Sequence, residues 1–162
     1  MNVRSLAVIL TIARGMGAQE TAPQQPIPFS HKIHTGAAKL ACQDCHPAPA
    51  KFGAEMGFPA ATKCMACHVA IAKDKPAIRK LAEFAVAKQA VPWVRVYRLA
   101  DFVFFDHRFH LINQAKCEDC HGATGERDVT VDELHATKMS FCQGCHTRTR
   151  ASGGCGTCHN IR

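Results

Sequence analysis

One five-residue pattern, Cys-x-x-Cys-His, occurs five times and constrains what this chain can fold into. The copies, numbered motif 1 to motif 5 in chain order, are Cys42-Gln43-Asp44-Cys45-His46, Cys64-Met65-Ala66-Cys67-His68, Cys117-Glu118-Asp119-Cys120-His121, Cys142-Gln143-Gly144-Cys145-His146 and Cys155-Gly156-Thr157-Cys158-His159. All ten cysteines of the sequence lie in these motifs. The pattern is the attachment sequence of c-type haem, in which two thiols bind the porphyrin and the adjacent histidine binds the iron. The sequence therefore predicts five haem c cofactors, one on each motif.

Paired cysteines also occur in zinc sites and in disulfide frameworks. Zinc sites also use Cys-x-x-Cys, but they do not need a histidine directly after every second cysteine. A disulfide framework suits an exported chain with an even cysteine count. Disulfides would not explain the five adjacent histidines, so haem attachment is the favoured interpretation.

The composition fits a protein whose core is largely cofactor. The chain has 162 residues and is 47% hydrophobic, yet only 7% of its residues are aromatic. Sustained periodic segments are few, and glycine and proline interrupt the sequence often. We therefore predict a mostly irregular and α-helical fold, a multihaem cytochrome c fold with short helices and loops wrapped around five covalently bound haems.

The formal net charge is +7, with no block of lysine and arginine. Each haem carries two propionates, so this basic balance is better explained as neutralising haem carboxylates than as a nucleic-acid surface. We expect no nucleic-acid partner.

Residues 1–18 resemble an export signal, with Arg4 before the short apolar run Ser5 to Ala13 and small residues at Gly15 to Ala18. This run is too short to span a bilayer, which needs ~20 apolar residues. Covalent haem attachment in bacteria takes place outside the inner membrane. We expect the mature protein in the periplasm or on the periplasmic face of that membrane.

The rest of the chain divides into two related modules and a connector. A proline-rich lead-in (19–28) precedes a dihaem module (29–68), and a connector (69–104) precedes a triheme module (105–162). The sequence Phe29-Ser30-His31-Lys32-Ile33-His34 matches Phe105-Asp106-His107-Arg108-Phe109-His110 position for position. In both modules a haem motif follows, which indicates an internal repeat.

The connector contains a predicted helix and an apolar segment. Val69 to Ala90 is the best helix candidate, opened by Pro76, with one apolar face formed by Ile78, Leu81, Ala82 and Ala85. Val91 to Phe105 holds the only Trp and the only Tyr. We expect an extended segment packed over a haem face; a docking edge for another subunit is the alternative.

The histidines outside the motifs number five, as many as five six-coordinate irons need: His31, His34, His107, His110 and His135. In each His-x-x-His pair the side chains would lie on one face of a helical turn, with Cβ atoms about 5–6 Å apart. Each pair can thus serve two neighbouring haems. The fifth position has two candidates, His135 and the thioether of Met139, and a Met ligand would raise the potential of that haem.

The stretch from Phe105 to His159 resembles the small triheme class III cytochromes c, which share Phe-x-His-x-x-His, a haem motif, a lone His and two further haem motifs. The resemblance implies that His107 serves the haem on His121, His110 the haem on His146, and His135 the haem on His159. By the same logic His31 would serve the haem on His46, and His34 the haem on His68.

Most of residues 25 to 146 also resembles the pentahaem cytochrome subunit of alternative complex III, a bacterial quinol-oxidising complex. The matching stretches are 25–32, 92–96 and 101–107. That subunit commonly has an N-terminal membrane helix, which the short run of this chain does not provide. The resemblance implies a soluble or peripheral relative that serves a related membrane oxidoreductase.

We therefore predict an electron-transfer cytochrome of the respiratory chain that passes electrons through six-coordinate haems, without catalytic residues and not itself an enzyme. Its expected partners are redox proteins, in particular a membrane quinol-oxidising complex. The alternatives are a free periplasmic carrier and a multihaem reductase with one open haem. Carbon monoxide binding to the reduced protein would favour the reductase.

Overall fold

A computed structural model describes residues 22–51, 53 and 55–159. The predicted export signal (1–18), the first residues of the lead-in and residues 160–162 lie outside this part of the chain. Its α-helices are Cys42–Cys45 (α1), Ala61–His68 (α2), Pro76–Val86 (α3), His107–Ile112 (α4), Cys117–His121 (α5), Met139–Thr149 (α6) and Cys155–Cys158 (α7). A π-helical turn at Lys32–Ala37 and a 3₁₀ turn at Thr124–Glu126 complete the helical elements. The predicted fold class, short helices joined by irregular chain, is confirmed.

Helix α3 begins at the predicted proline but is shorter than the predicted span Val69 to Ala90. Lys75, which precedes Pro76, is extended at ψ 137°, because the proline ring disfavours the helical region for the residue before it. At the other end Lys88 has a left-handed φ of 54°. The N–H of Gln89 then bonds the Phe84 carbonyl at 3.0 Å, which closes the last turn.

The hydrophobic core of the described residues is small. Its buried side chains are Ile27, Ala61, Leu81 and Val91. Helices α2 and α3 pack together there, while large apolar side chains elsewhere, such as Phe102 and Phe104, are exposed. The polypeptide alone therefore buries little apolar surface, which fits a fold completed by apolar cofactors.

The two His-x-x-His segments end in a similar way, although the first is a π-helical turn and the second an α-helix. The N–H of Leu40 donates to the His34 carbonyl, six residues earlier, and the N–H of Ala115 donates to the His110 carbonyl, five residues earlier, both at 3.0 Å. Lys39 and Gln114, one residue earlier, are left-handed in both copies. The ends of the two turns therefore agree in backbone conformation, while the first turn is one residue longer than the second.

The following haem motifs also begin alike. The side chain of Asp44 accepts a hydrogen bond from the Ala41 N–H at 2.7 Å, and that of Asp119 accepts one from the Lys116 N–H at 2.8 Å. Each carboxylate therefore holds the residue just before its helix and lies near the positive helix N-terminus.

The predicted dihaem and triheme modules contact each other directly. The 124–130 segment of the second lies against the His-x-x-His turn of the first through three hydrogen bonds: Lys32 N–H to the Arg127 carbonyl (3.0 Å), Ser30 Oγ to Asp128 Oδ1 (2.6 Å) and Thr35 Oγ1 to the Gly125 carbonyl (2.5 Å). In return, Arg108 donates to the Ala50 carbonyl at 3.0 Å. The modules are therefore interlocked.

The connector after α3 runs extended along both modules. Val91 is buried in the small core, and Tyr97 donates to the Val131 carbonyl at 3.0 Å. Val103 forms an isolated antiparallel bridge with His159. No helix in the described ranges is both long and apolar enough to cross a membrane.

Candidate functional site

All five haem motifs lie on helical turns, in α1, α2, α5, α6 and α7. A helix brings residues three positions apart onto one face, so the two thiols of each motif point to the same side. The structure has all ten cysteines as free thiols. This is the arrangement that two thioether bonds to one porphyrin require.

Four haem-motif histidines are each paired with a histidine from a His-x-x-His segment. The ring centroids are 6.5 Å apart for His31 and His46, 6.1 Å for His34 and His68, 6.4 Å for His107 and His121, and 6.1 Å for His110 and His146. These are the pairs that the resemblance to triheme cytochromes implied. We call them site 1 to site 4 after their motifs, and motif 5 with its surroundings site 5.

The separation of the paired rings fits an iron held between them. A ring nitrogen lies about 2 Å from a transition metal that it binds, and the ring centroid lies about 1 Å further, so two opposed imidazoles on one metal have centroids roughly 6 Å apart. At this distance no other side chain fits between the two rings. The residues present therefore fit a six-coordinate haem iron at sites 1 to 4.

Hydrogen bonds at Nδ1 leave Nε2 available for a metal. Five of the imidazoles bond a backbone carbonyl at 2.6–3.0 Å through Nδ1: His34 to Ser30, His46 to Gly57, His68 to Ile71, His110 to Asp106 and His146 to Ser152. A carbonyl can only accept, so Nδ1 carries the proton and Nε2 keeps its lone pair. Such partners fix the tautomer and ring orientation of a metal ligand.

His31 has a side chain as its Nδ1 partner instead. Thr130 Oγ1, from the second module, lies 3.1 Å from His31 Nδ1. Sequence reasoning missed this contact, because the two residues are far apart in the chain and a lone threonine carries no motif. It makes the second module part of the surroundings of site 1.

Aromatic rings support both His-x-x-His turns in the same way. Phe29 is stacked on His34 with centroids 4.5 Å apart and meets His31 edge-on at 4.9 Å. In the second module Phe105 repeats the arrangement, 4.6 Å from His110 and 4.7 Å from His107. The spacing Phe-x-His-x-x-His, which occurs twice in the chain, thus has a packing role, since one phenylalanine ring orients two histidine side chains.

Burial keeps several of these imidazoles neutral. It lowers the pKa of His31, of His107 and of His121, and in each case a second histidine nearby lowers the pKa further. A neutral ring is the form that binds a metal. Tyr97, which the sequence placed only in an apolar segment, packs edge-on to His121 with centroids 4.4 Å apart.

Site 5 is built differently from the other four. The ring that contacts His159 in the described part of the chain is Phe102, with centroids 5.7 Å apart, and Nδ1 of His159 is buried without a hydrogen-bond partner there. His135 lies in a left-handed turn with φ 51°, and Met139 is the first residue of α6 and is exposed. The choice between His135 and Met139 therefore stays a prediction.

The zinc alternative finds no support in the geometry. Within residues 22–51, 53 and 55–159, no group of three or more His, Cys, Asp or Glu side chains is placed to hold one metal ion. A structural zinc site needs four such ligands around one point.

Two families of multihaem proteins match the sequence. Residues 10–91, about half of the chain, match the class III cytochrome c family. Residues 103–160 match the family described as cytochrome c7 and related cytochrome c. The second match covers the predicted triheme module, and the first covers the dihaem module and α3.

A curated relative matches over most of its length. The chain is 29% identical to the protein named "Menaquinone reductase, multiheme cytochrome c subunit" of Nitratidesulfovibrio vulgaris, over 84% of this chain and 77% of the relative.

Proposed function

We propose, from the premise that the chain belongs to the class III family of multihaem electron-transfer cytochromes c, that it holds five haems, one on each motif. Multihaem electron transfer is the activity of that family. The number of haems, their ligands and the complex that the protein serves are our proposal.

The observation that carries the proposal is the set of four imidazole pairs at 6.1–6.5 Å. Each pair joins a histidine that follows two cysteines to a histidine from elsewhere in the chain. The cysteines would anchor the porphyrins, and the paired imidazoles would bind the irons from both sides. A bound haem supplies an iron that gains and loses one electron, while the chain sets ligation, burial and nearby charge.

We further propose that the protein is the cytochrome subunit, or a direct partner, of a membrane oxidoreductase that acts on a quinone. The name of the relative supports a quinone-linked complex and points to menaquinone reduction, whereas the sequence resemblance favoured quinol oxidation. The haem row can carry electrons either way, since the direction depends on the potentials of the donor and acceptor. A location in the periplasm or on the periplasmic face of the inner membrane would suit both directions.

Intact mass and visible spectroscopy test the haem content. The purified mature protein should weigh five haems more than its polypeptide and show the absorbance of low-spin haem c when reduced. A mass equal to the polypeptide alone, without haem absorbance, would end the proposal.

Carbon monoxide tests ligation and separates a carrier from a reductase. The native reduced protein should not bind it, since every iron would have two protein ligands. His110→Ala should open site 4 to one equivalent, while Asn113→Ala, in the residue that follows the same helix, should not. Of His135→Ala and Met139→Ala, the variant that opens site 5 identifies its ligand. Binding to the unaltered protein would favour a reductase.

Co-purification tests the partner. An affinity-tagged protein expressed in its own host should be recovered from solubilised membranes together with a quinone-reactive assembly, and the preparation should exchange electrons with a menaquinone analogue. Recovery only in the soluble periplasmic fraction, alone, would favour a free carrier.

A further inference from the structure

The five sites are numbered along the chain, but the contacts between them give a different spatial order. Sites 1 and 2 share a helical turn, because His31 belongs to one and His34 to the other. Their motifs are also neighbours, since the Cys45 thiol adds to burial in raising the pKa of Cys64. Site 2 is therefore next to site 1.

Sites 3 and 4 are related in the same way through α4, which carries His107 and His110. Cys120 of motif 3 lies beside Cys145 and Cys142 of motif 4, whose thiols raise its pKa after burial does. Motif 5 is joined to site 4 by hydrogen bonds: Nδ1 of His146 donates to the Ser152 carbonyl at 2.6 Å, and Ser152 Oγ lies 2.9 Å from Thr157 Oγ1 in motif 5. The Cys158 thiol of motif 5 also raises the pKa of Cys142 after burial does. The second module therefore continues from site 3 to site 4 to site 5.

The two modules meet at sites 1 and 3. Thr130 of the second module lies against site 1, with its Oγ1 3.1 Å from His31 Nδ1. The Cys42 thiol is near that of Cys117 and raises its pKa after burial does, and His46 is close enough to His121 to lower its pKa. Two further hydrogen bonds join the loop after motif 1 to the start of α4. The Arg108 side chain donates to the Ala50 carbonyl at 3.0 Å. The carboxylate of Asp106, at the start of α4, accepts a hydrogen bond from the Gly53 N–H at 2.6 Å in the loop that follows motif 1.

On the proposal of five haems, we infer that the sites form one unbranched row in the order 2–1–3–4–5. The junction between modules joins the first motif of each, so the dihaem module extends the triheme module from site 3 outward. Sites 1, 3 and 4 are internal, and sites 2 and 5 are the two ends.

This order fixes where electrons enter and leave. One electron passes from an external one-electron donor to the site at one end, and each hop oxidises one site by one electron and reduces the next by one. An external one-electron acceptor oxidises the site at the other end. No bond forms or breaks in these hops and no proton moves, and sites 1, 3 and 4 would relay electrons between the two ends.

Proton NMR of the fully reduced protein tests the order, because substituent protons of adjacent haems give nuclear Overhauser contacts. His34→Met and His31→Met, on one helical turn, label sites 2 and 1 by shifting the signals of one haem each. His107→Met and His110→Met label sites 3 and 4 in the same way. We expect contacts for the site pairs 2–1, 1–3, 3–4 and 4–5. A contact from site 2 to site 3, 4 or 5, or a missing contact between sites 1 and 3, would overturn the order.

Removal of whole haems is a second test of the order of the sites. Cys64→Ser with Cys67→Ser should abolish only the 2–1 contact. Cys42→Ser with Cys45→Ser should abolish both the 2–1 and the 1–3 contacts. If either double variant does not fold, the ligand variants carry the test. Intact mass of the unaltered protein separates the two proposals: a mass lacking haems rejects the proposed function, whereas five haems with a different contact pattern rejects only the order.

Discussion

Replacing Thr130 with valine should raise the reduction potential of one haem, that of site 1. Thr130 Oγ1 lies 3.1 Å from Nδ1 of His31. When Nε2 binds iron, Nδ1 carries the proton and donates to this oxygen, which makes the ring a stronger electron donor and favours ferric over ferrous iron. Valine has nearly the same shape but cannot accept the proton.

The size of the effect follows from the energy of that hydrogen bond. A net contribution of about 1 kcal/mol is typical for one intramolecular bond, and for a one-electron couple a tenfold change in equilibrium constant corresponds to about 59 mV. If most of this energy favours the ferric state, the potential of site 1 rises by about 40 mV. Stability should fall as well, by about 1–3 kcal/mol, because a half-buried N–H loses its partner.

Thr35→Val is the matched control. Thr35 Oγ1 lies in the same junction, where it donates to the Gly125 carbonyl at 2.5 Å and lies 3.0 Å from the His31 carbonyl. Both of these partners are backbone carbonyls and neither is an imidazole ring. This variant should lose stability by about 1 kcal/mol without moving any potential. Spectroelectrochemical titration, with haem signals resolved by NMR at each potential, measures both proteins. Unchanged potentials in Thr130→Val, or an equal shift in Thr35→Val, would refute the reasoning.

Three further predictions concern the core, the ligand planes and acid stability. Leu81→Ala should destabilise the holoprotein by about 2–4 kcal/mol in denaturant unfolding, since Leu81 is buried, while Val86→Ala on the exposed face of α3 should change stability by less than about 0.5 kcal/mol. The imidazole planes lie 8° apart at site 3 and 63° apart at site 2. The ferric EPR spectrum should therefore contain a rhombic low-spin signal from site 3 and a low-spin signal with a larger maximal g value from site 2. Identical signals from the two sites would contradict this geometry. Hydrogen bonds from the Gly53 and then the Arg108 N–H groups lower the pKa of Asp106, so its stabilising contribution is present above the unfolded value of ~3.9 and is lost as pH falls through the folded pKa. Asp106→Asn should therefore flatten the loss of stability below pH ~4, measured by urea unfolding.

Much of the site could be predicted because haem attachment is encoded in contiguous residues. The five motifs identify the anchors, and the repeated Phe-x-His-x-x-His identifies the four distal histidines that the structure brings to the motifs. Pro76 marked the start of α3, since proline suits the first turn of a helix. The end of that helix was missed, because a left-handed lysine at position 88 carries no signal that sequence reasoning recognises.

Site 5 shows why counting residue types does not determine ligation. The ten histidines would provide two for each of the five motifs if His135 served the haem on His159. In the described residues, however, the ring beside His159 is Phe102. At the four other sites the histidine opposite the motif comes from a helical turn that holds two histidines together. His135 does not belong to a His-x-x-His segment, so its position depends on an irregular segment whose path the sequence does not specify.

The junction between the modules was beyond sequence reasoning for a related reason. Its acceptors are largely backbone carbonyls, those of Gly125, Arg127 and Ala50, and any residue type provides a carbonyl. The repeat predicts two similar units but does not indicate which surfaces of the two modules are in contact. Cys42 and Cys117 begin the first motif of their respective modules. The contact therefore brings the two equivalent motifs together, and the remaining motifs lie on either side of it. One interlocked contact, rather than the number of motifs, thus decides whether five haems form a single row or two separate groups.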